Sequence, residues 1–143
     1  DVTGVLKVLT DLAASSPKVR GIRQIVNHEP NWPRQGNTGD LLGNPNWQKG
    51  FAHLETLKLS FDLQLNPHQF TAAAEFLKDY PGIPVIINHL GSPTLADLTD
   101  EKLQKQYWDG LSALASLPHA SIKISMLCYA DKNWDQNAAV TGS

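Results

Sequence analysis

The stretch LSFDLQL, residues 59–65, alternates apolar and polar side chains without a break. Period-two alternation is the mark of a β-strand with two unlike faces, here Leu59, Phe61, Leu63 and Leu65 against Ser60, Asp62 and Gln64. Helix signals flank it on both sides. Upstream, Asn44 caps and Pro45 suits the first turn of a helix running to about Leu57. Downstream, Asn66-Pro67-His68-Gln69 combines a cap, a first-turn proline and a capping-box glutamine, and predicts a helix over 70–80 that stops at Pro81-Gly82. A strand set between two helices is the unit of a parallel α/β protein.

The same alternation of elements extends outward. PVIINHLG, residues 84–91, reads as an apolar strand with a polar tip, and a helix follows over 100–116 with Asp100 and Glu101 at its positive end. ASIKISML, residues 120–127, is a further strand, and the polar segment after it shows no recognisable terminal element. Toward the N-terminus, VRGIRQIV (19–26) reads as a strand, preceded by a helix over 1–15 with Val5, Leu6, Val8, Leu9, Leu12 and Ala13 at helical spacing. Residues 27–43, NHEPNWPRQGNTGDLLG, form a long loop of the kind that more often carries function than not. Hairpin signals are absent and the connections are long enough for crossovers between parallel strands, so the fold class is α/β with parallel βα repeats.

Composition narrows the function. The chain has 143 residues, 41% of them hydrophobic and 18% charged, enough apolar material for a core. A net charge of −2 offers no basic field for nucleic acid or anionic lipid. A single cysteine excludes a disulfide framework or a Cys-rich zinc site. No apolar run approaches a membrane span and no signal segment opens the chain, so a cytoplasmic location is expected. Neither a Gly-rich phosphate loop nor a GxSxG elbow is present, which sets aside nucleotide binding and serine hydrolysis.

What remains is a set of candidate residues at strand tips. The polar sets Ser60, Asp62, Gln64 and Ser121, Lys123, Ser125 are unusual for buried parallel strands and suggest a wet interior near the carboxyl ends, where such folds bind ligands. His89 is the sharpest candidate, able to ligate zinc or manganese or to move a proton, although it shares its parity with Val85 and Ile87. Arg20 and Arg23 point to opposite faces; Arg23 is read inward, free to meet a carboxylate. Asp62 could serve as base, ligand or ion-pair partner, an Arg–Asp pair being the plain alternative. Lys123 could orient substrate. His28 opens the long loop and could reach the same mouth, and Trp32 is the aromatic best placed as a pocket wall. Trp47 and Trp108 read as helix-face core, and Cys128 as an inert thiol.

These residues resemble the amidohydrolase-2 family. V-R-G-I-R-Q (19–24), F-A-H-L (51–54), L-S-F-D-L (59–63), I-I-N-H-L-G-S-P (86–93) and S-I-K-I-S (121–125) follow the family's pattern in order over nearly all of the chain. The family comprises TIM-barrel metal-dependent hydrolases of the amidohydrolase superfamily, sugar and pyrone lactonases among them. The resemblance implies that His89 ligates metal, or in metal-independent lactonases holds and polarises the substrate carbonyl. It implies that Arg23 contacts a substrate carboxylate, and that Asp62 and Lys123 support the site. Met126 stands where the family often has glycine. The family's His-x-His and its water-activating aspartate find no match here, and a complete barrel needs about 250 residues. The expectation is therefore a partial barrel over residues 1–143, with about half of the strands, opening a lactone or amide within a larger enzyme and inactive alone. The alternatives are a truncated, non-catalytic binding or dimerisation module of the same fold, and a complete small flavodoxin-like binding protein with a structural His89.

Overall fold

The computed structural model describes residues 2–29 and 39–141. Trp32 lies outside them, as does most of the loop expected over 27–43. The elements, in order, are α1 (Val2–Ser15), β1 (Gly21–Ile25), α2 (Pro45–Thr56), β2 (Ser60–Gln64), α3 (Phe70–Leu77), β3 (Val85–Ile87), α4 (Leu95–Thr99), α5 (Glu101–Ala115), β4 (Ala120–Ile122) and α6 (Ala138–Thr141). The four strands form one sheet in the order β1-β2-β3-β4, and every neighbouring pair is parallel. This is the arc of a (β/α) barrel, with sequential strands side by side and helices on one face.

Alternation in β2 sorts as its residues predict. Phe61 and Leu63 are buried under the helices together with the flanking Leu59 and Leu65, whereas Ser60, Asp62 and Gln64 are half-buried on the opposite face. Behind β1 and β2 the helices supply an aromatic layer. Phe51 meets Phe61 edge-on at 5.0 Å between ring centroids, and it meets Phe76 and Tyr80 in the same manner at 5.1 and 5.2 Å. Trp47 packs against Phe51 and donates its indole N–H to Gln24 Oε1 at 2.8 Å, so it is helix-face core as its spacing suggests. Phe70 and Leu65 are fully buried in the core, each worth about 1.5–3 kcal/mol of burial.

The caps are those the sequence specifies. The Asn44 side chain accepts from the N–H groups of Asn46 and Trp47, and Gln69 Oε1 accepts from Asn66 N–H at 3.0 Å. Residues 67–69 form a single 3₁₀ turn before α3 begins, with Pro67 at its first position, where no backbone donor is needed. Thr94 caps α4, an extra helix that the reading of 100–116 leaves out. The segment after β4 also carries short helical turns and α6.

Two strands are shorter than their apolar runs. β3 ends at Ile87 and β4 at Ile122, although Lys123 N–H still donates to Ile87 O at 2.8 Å. Beyond β3 the chain turns into left-handed backbone at His89, Leu90, Gly91 and Ser92, with φ between 54° and 76°; beyond β4, Met126 does the same at 59°. An apolar run cannot continue as a strand through such residues. Ile124 is 79% exposed beside the open edge of β4, and Ile25 is exposed at β1, so both outer strands present unpaired edges among the described residues. No helix among them is long and apolar enough to cross a membrane.

Candidate functional site

Register places the polar residues of the sheet in rows. Arg23 lies beside Asp62, Asp62 beside Ile86, and Ile86 beside Ser121, so these residues share the face away from the helices. Arg23 uses that face to reach across to the next strand: its Nη2 donates to Gln64 Oε1 at 2.7 Å. The same Nη2 stands 3.3 Å from His89 Nε2. Lys123 Nζ forms an ion pair with Asp62. The ionic partner of Asp62 is thus Lys123, and the Arg23–Asp62 pair of the plainer reading is not formed.

Strict alternation would group His89 with Val85 and Ile87, both buried under the helices. The left-handed conformation of His89, φ 57°, breaks that parity and swings the imidazole over the strand tips. Each non-glycine residue held there costs about 1–2 kcal/mol, and such strain tends to gather where a side chain must be aimed. The turn is held from both sides: Leu90 N–H donates to Lys123 O at 2.9 Å, and the Tyr107 hydroxyl donates to Leu90 O at 3.0 Å. Gly91 is required within it, because a Cβ there would stand 2.0 Å from Phe70 Cζ, on a backbone with φ of 76°.

His89 has two further neighbours. Its Nδ1 lies 2.9 Å from Ser125 Oγ, and the Tyr129 ring meets its imidazole edge-on at 6.3 Å. Burial, then the positive charges of Arg23 and Lys123, hold the imidazole below its ordinary pKa, so it favours the neutral form. Burial, with Asp97 adding to it, pushes the Tyr107 phenol up to about 12. Beside this cluster a hollow of about 290 Å³ is walled by Leu98, Trp108, Leu111, Met126 and Val140. Trp108 is 52% exposed and belongs to that wall, not to the core expected from its helical spacing.

The structure therefore brings Arg23, Asp62, His89 and Lys123 to one mouth. His28 does not join their contacts. Its backbone N–H donates to Gln69 Oε1 and its carbonyl lies 2.9 Å from His68 Nε2, and it lines a separate hollow with Asp40, His68 and Asp79. Ser125 and Gln64 were not singled out from the sequence as site residues, although both sit in the polar parity sets that flagged the mouth. Among the described residues no three of His, Cys, Asp and Glu group closely enough to hold a metal. His89 contributes one nitrogen donor, Arg23 lies against it, and Asp62 is engaged by Lys123. These residues do not make a metal centre by themselves.

Known proteins resemble this chain in sequence and in fold. The family model described as Amidohydrolase (Amidohydro_2) matches residues 10–142. The uncharacterized protein y4mH of Sinorhizobium fredii is 33% identical over 116 residues, which cover 80% of this chain and 38% of that protein. An amidohydrolase from Burkholderia multivorans, solved with bound zinc, superposes with a TM-score of 0.70 at 21% identity, over 92% of this chain and 45% of its own. A probable 2-pyrone-4,6-dicarboxylic acid hydrolase from Acinetobacter baumannii, solved with citric acid bound, gives 0.65 at 22% identity over 91% and 44%. The two solved structures share the fold of this chain. The chain spans less than half the length of each of these three proteins.

Proposed function

The chain belongs to the amidohydrolase family, and on that premise we propose that it forms the anion-receiving side of a hydrolase mouth that opens a carboxylate-bearing lactone, or cleaves an amide, by water attack. The observation that carries this reading is Arg23, steadied by Gln64 and set 3.3 Å from His89 Nε2 at the strand tips. A guanidinium has five N–H donors in a fixed fork, so donors are left over for a substrate carboxylate. With His89 neutral, Arg23 and Lys123 outweigh Asp62, and the mouth carries a net positive charge. An anionic substrate fits it. The Acinetobacter relative is named for a pyrone dicarboxylate and holds citric acid, which supports that substrate class.

In this reading Arg23 and Lys123 bind the carboxylate and the carbonyl oxygen, and His89 lies beside the carbon that reacts. Water adds to that carbon, the ring C–O bond breaks, and the departing oxygen takes a proton to give a hydroxy acid. The base that activates water comes from outside this chain, because the one carboxylate in the cluster is held by Lys123. The chain alone binds without turning over. Its partner in function is a small-molecule lactone or amide, with no nucleic acid or membrane involved.

Calorimetry of the chain with 2-pyrone-4,6-dicarboxylate and with uncharged 2-pyrone tests this. The dicarboxylate should bind and the neutral ring should not. Arg23→Gln should weaken binding about 10- to 100-fold, the value of a charge-assisted pair. Equal affinity for the two pyrones, or no loss in Arg23→Gln, would overturn the reading. Ring opening by the chain alone would place the base within it. A second reading, a non-catalytic binding or pairing module, draws on the two open sheet edges; a stable dimer that binds neither pyrone would favour it.

A further inference from the structure

The hollow beside His89 differs in chemistry from the mouth it adjoins. Leu98 of α4, Trp108 and Leu111 of α5 and Val140 of α6 line it, and Met126 joins them from the turn after β4. Among the described residues no Asp, Glu, Lys or Arg takes part in its walls. Its polar side chains are already engaged. The Tyr107 hydroxyl donates to Leu90 O, the Thr141 hydroxyl donates to Asn137 O, and Ser125 Oγ lies against His89 Nδ1. A polar group entering the hollow would leave water for partners that are occupied, which is costly; an apolar group gains by the same move. Trp108 and Met126 are open to solvent, so apolar surface is there to be covered.

We propose that this hollow receives an apolar arm of the substrate, an alkyl or aryl substituent carried by the lactone or amide. The proposal rests on the anion-receiving mouth and deepens it, adding a second contact that selects among carboxylate substrates. His89 joins the two: it lines the hollow, and its Nε2 stands 3.3 Å from the Arg23 guanidinium. Arg23 is thus one side chain away from the apolar walls. At about 290 Å³ the hollow falls just short of the roughly 300–1,000 Å³ of sites that enclose a whole drug-sized ligand. It suits one arm of a ligand whose charged end stays in the mouth. Charge at the strand tips then fixes orientation, and the apolar walls grade affinity by the surface they bury. Met126, at the position where the family resemblance expects glycine, gives this wall a side chain that glycine would not supply.

Straight-chain carboxylates from butanoate to dodecanoate, kept below micelle-forming concentrations and titrated into the chain by calorimetry, separate the two contacts. Affinity should rise about 3- to 4-fold with each added methylene and level off once the hollow is full. Arg23→Gln should lower the whole series by one common factor and leave the increment intact, because it touches the head and not the tail. Ala139→Trp, at an exposed position of α6 that lines the hollow, should bring the levelling to a shorter chain. The dicarboxylate pyrone has no such arm and should bind Ala139→Trp and the wild type alike, reporting an intact mouth. Affinity independent of chain length would overturn the proposal. So would affinity that keeps rising through dodecanoate in the wild type and Ala139→Trp alike. An increment that disappears as the chain concentration is raised would assign the hollow to a second copy and overturn it too. A flat series that Arg23→Gln still weakens would sink the apolar arm alone; a steep series untouched by Arg23→Gln would sink the carboxylate contact alone.

Discussion

Replacing Gly91 by alanine should damage the fold and the mouth together, for reasons that can be separated. The new Cβ would lie 2.0 Å from Phe70 Cζ and 2.6 Å from Cε1, with Gly91 itself on left-handed backbone at φ 76°. Phe70 cannot retreat easily: it is fully buried, and its Cβ is already confined, since a Cβ built at Gly110 would lie 2.6 Å from it. The backbone contribution is about 1–2 kcal/mol for an L-residue in that region. Overpacking against a fixed ring adds about 1–3 kcal/mol. Gly39→Ala supplies the control, because Gly39 also has positive φ, at 93°, but nothing among the described residues lies within 4 Å of its Cβ position. Urea unfolding of both variants should therefore show Gly91→Ala losing about 2–5 kcal/mol and Gly39→Ala about 1–2 kcal/mol, with the excess reporting the clash. Because the turn carries His89, the His89 resonances should also shift in Gly91→Ala and stay in place in Gly39→Ala. Equal destabilisation of the two variants would refute the argument that Phe70 forbids a side chain at this turn.

Other outcomes follow from the same geometry. His89 is held below its ordinary pKa, so the folded state prefers the neutral ring; its contribution is present above about 6.5 and fades as pH falls through the lowered value. His89→Gln should flatten the acid side of a plot of urea midpoint against pH, and an unchanged slope would count against the half-buried, cation-flanked ring. Tyr107 titrates at about 12, so its contribution is complete below about 10 and is lost as pH rises through 12. Tyr107→Phe should lose about 0.5–1.5 kcal/mol at pH 7 with its bond to Leu90 O, and should show less alkaline destabilisation in thermal melts. The Lys123–Asp62 pair is 45% and 28% exposed, so Lys123→Met should cost about 1 kcal/mol or less, and less still in high salt. The same variant should weaken dicarboxylate binding, visible by calorimetry, because the mouth loses a positive charge.

The sequence alone determined the parallel βα order, the helix caps and the inward polar faces. Those properties depend on local chemistry: alternation in LSFDLQL, Asn44 ahead of Pro45, Asn66 with Gln69. The inward set Arg23, Asp62, Gln64 and Lys123 was legible for the same reason, since side-chain direction along a regular strand has a fixed period. The direction of His89 was not. Its parity assigns it to the buried face, and only a left-handed turn, held by Tyr107 and Lys123 and kept open by Phe70 against Gly91, brings it to Arg23. Residues distant in sequence decide that conformation, and no local pattern encodes their meeting. The partner of Asp62 was also a tertiary decision: the register places Arg23 directly beside it, yet Gln64 and His89 engage the guanidinium while Lys123, two strands away, takes the carboxylate. Period fixes which face a strand residue occupies; the packing of the turns beyond the strand tips decides which groups meet there.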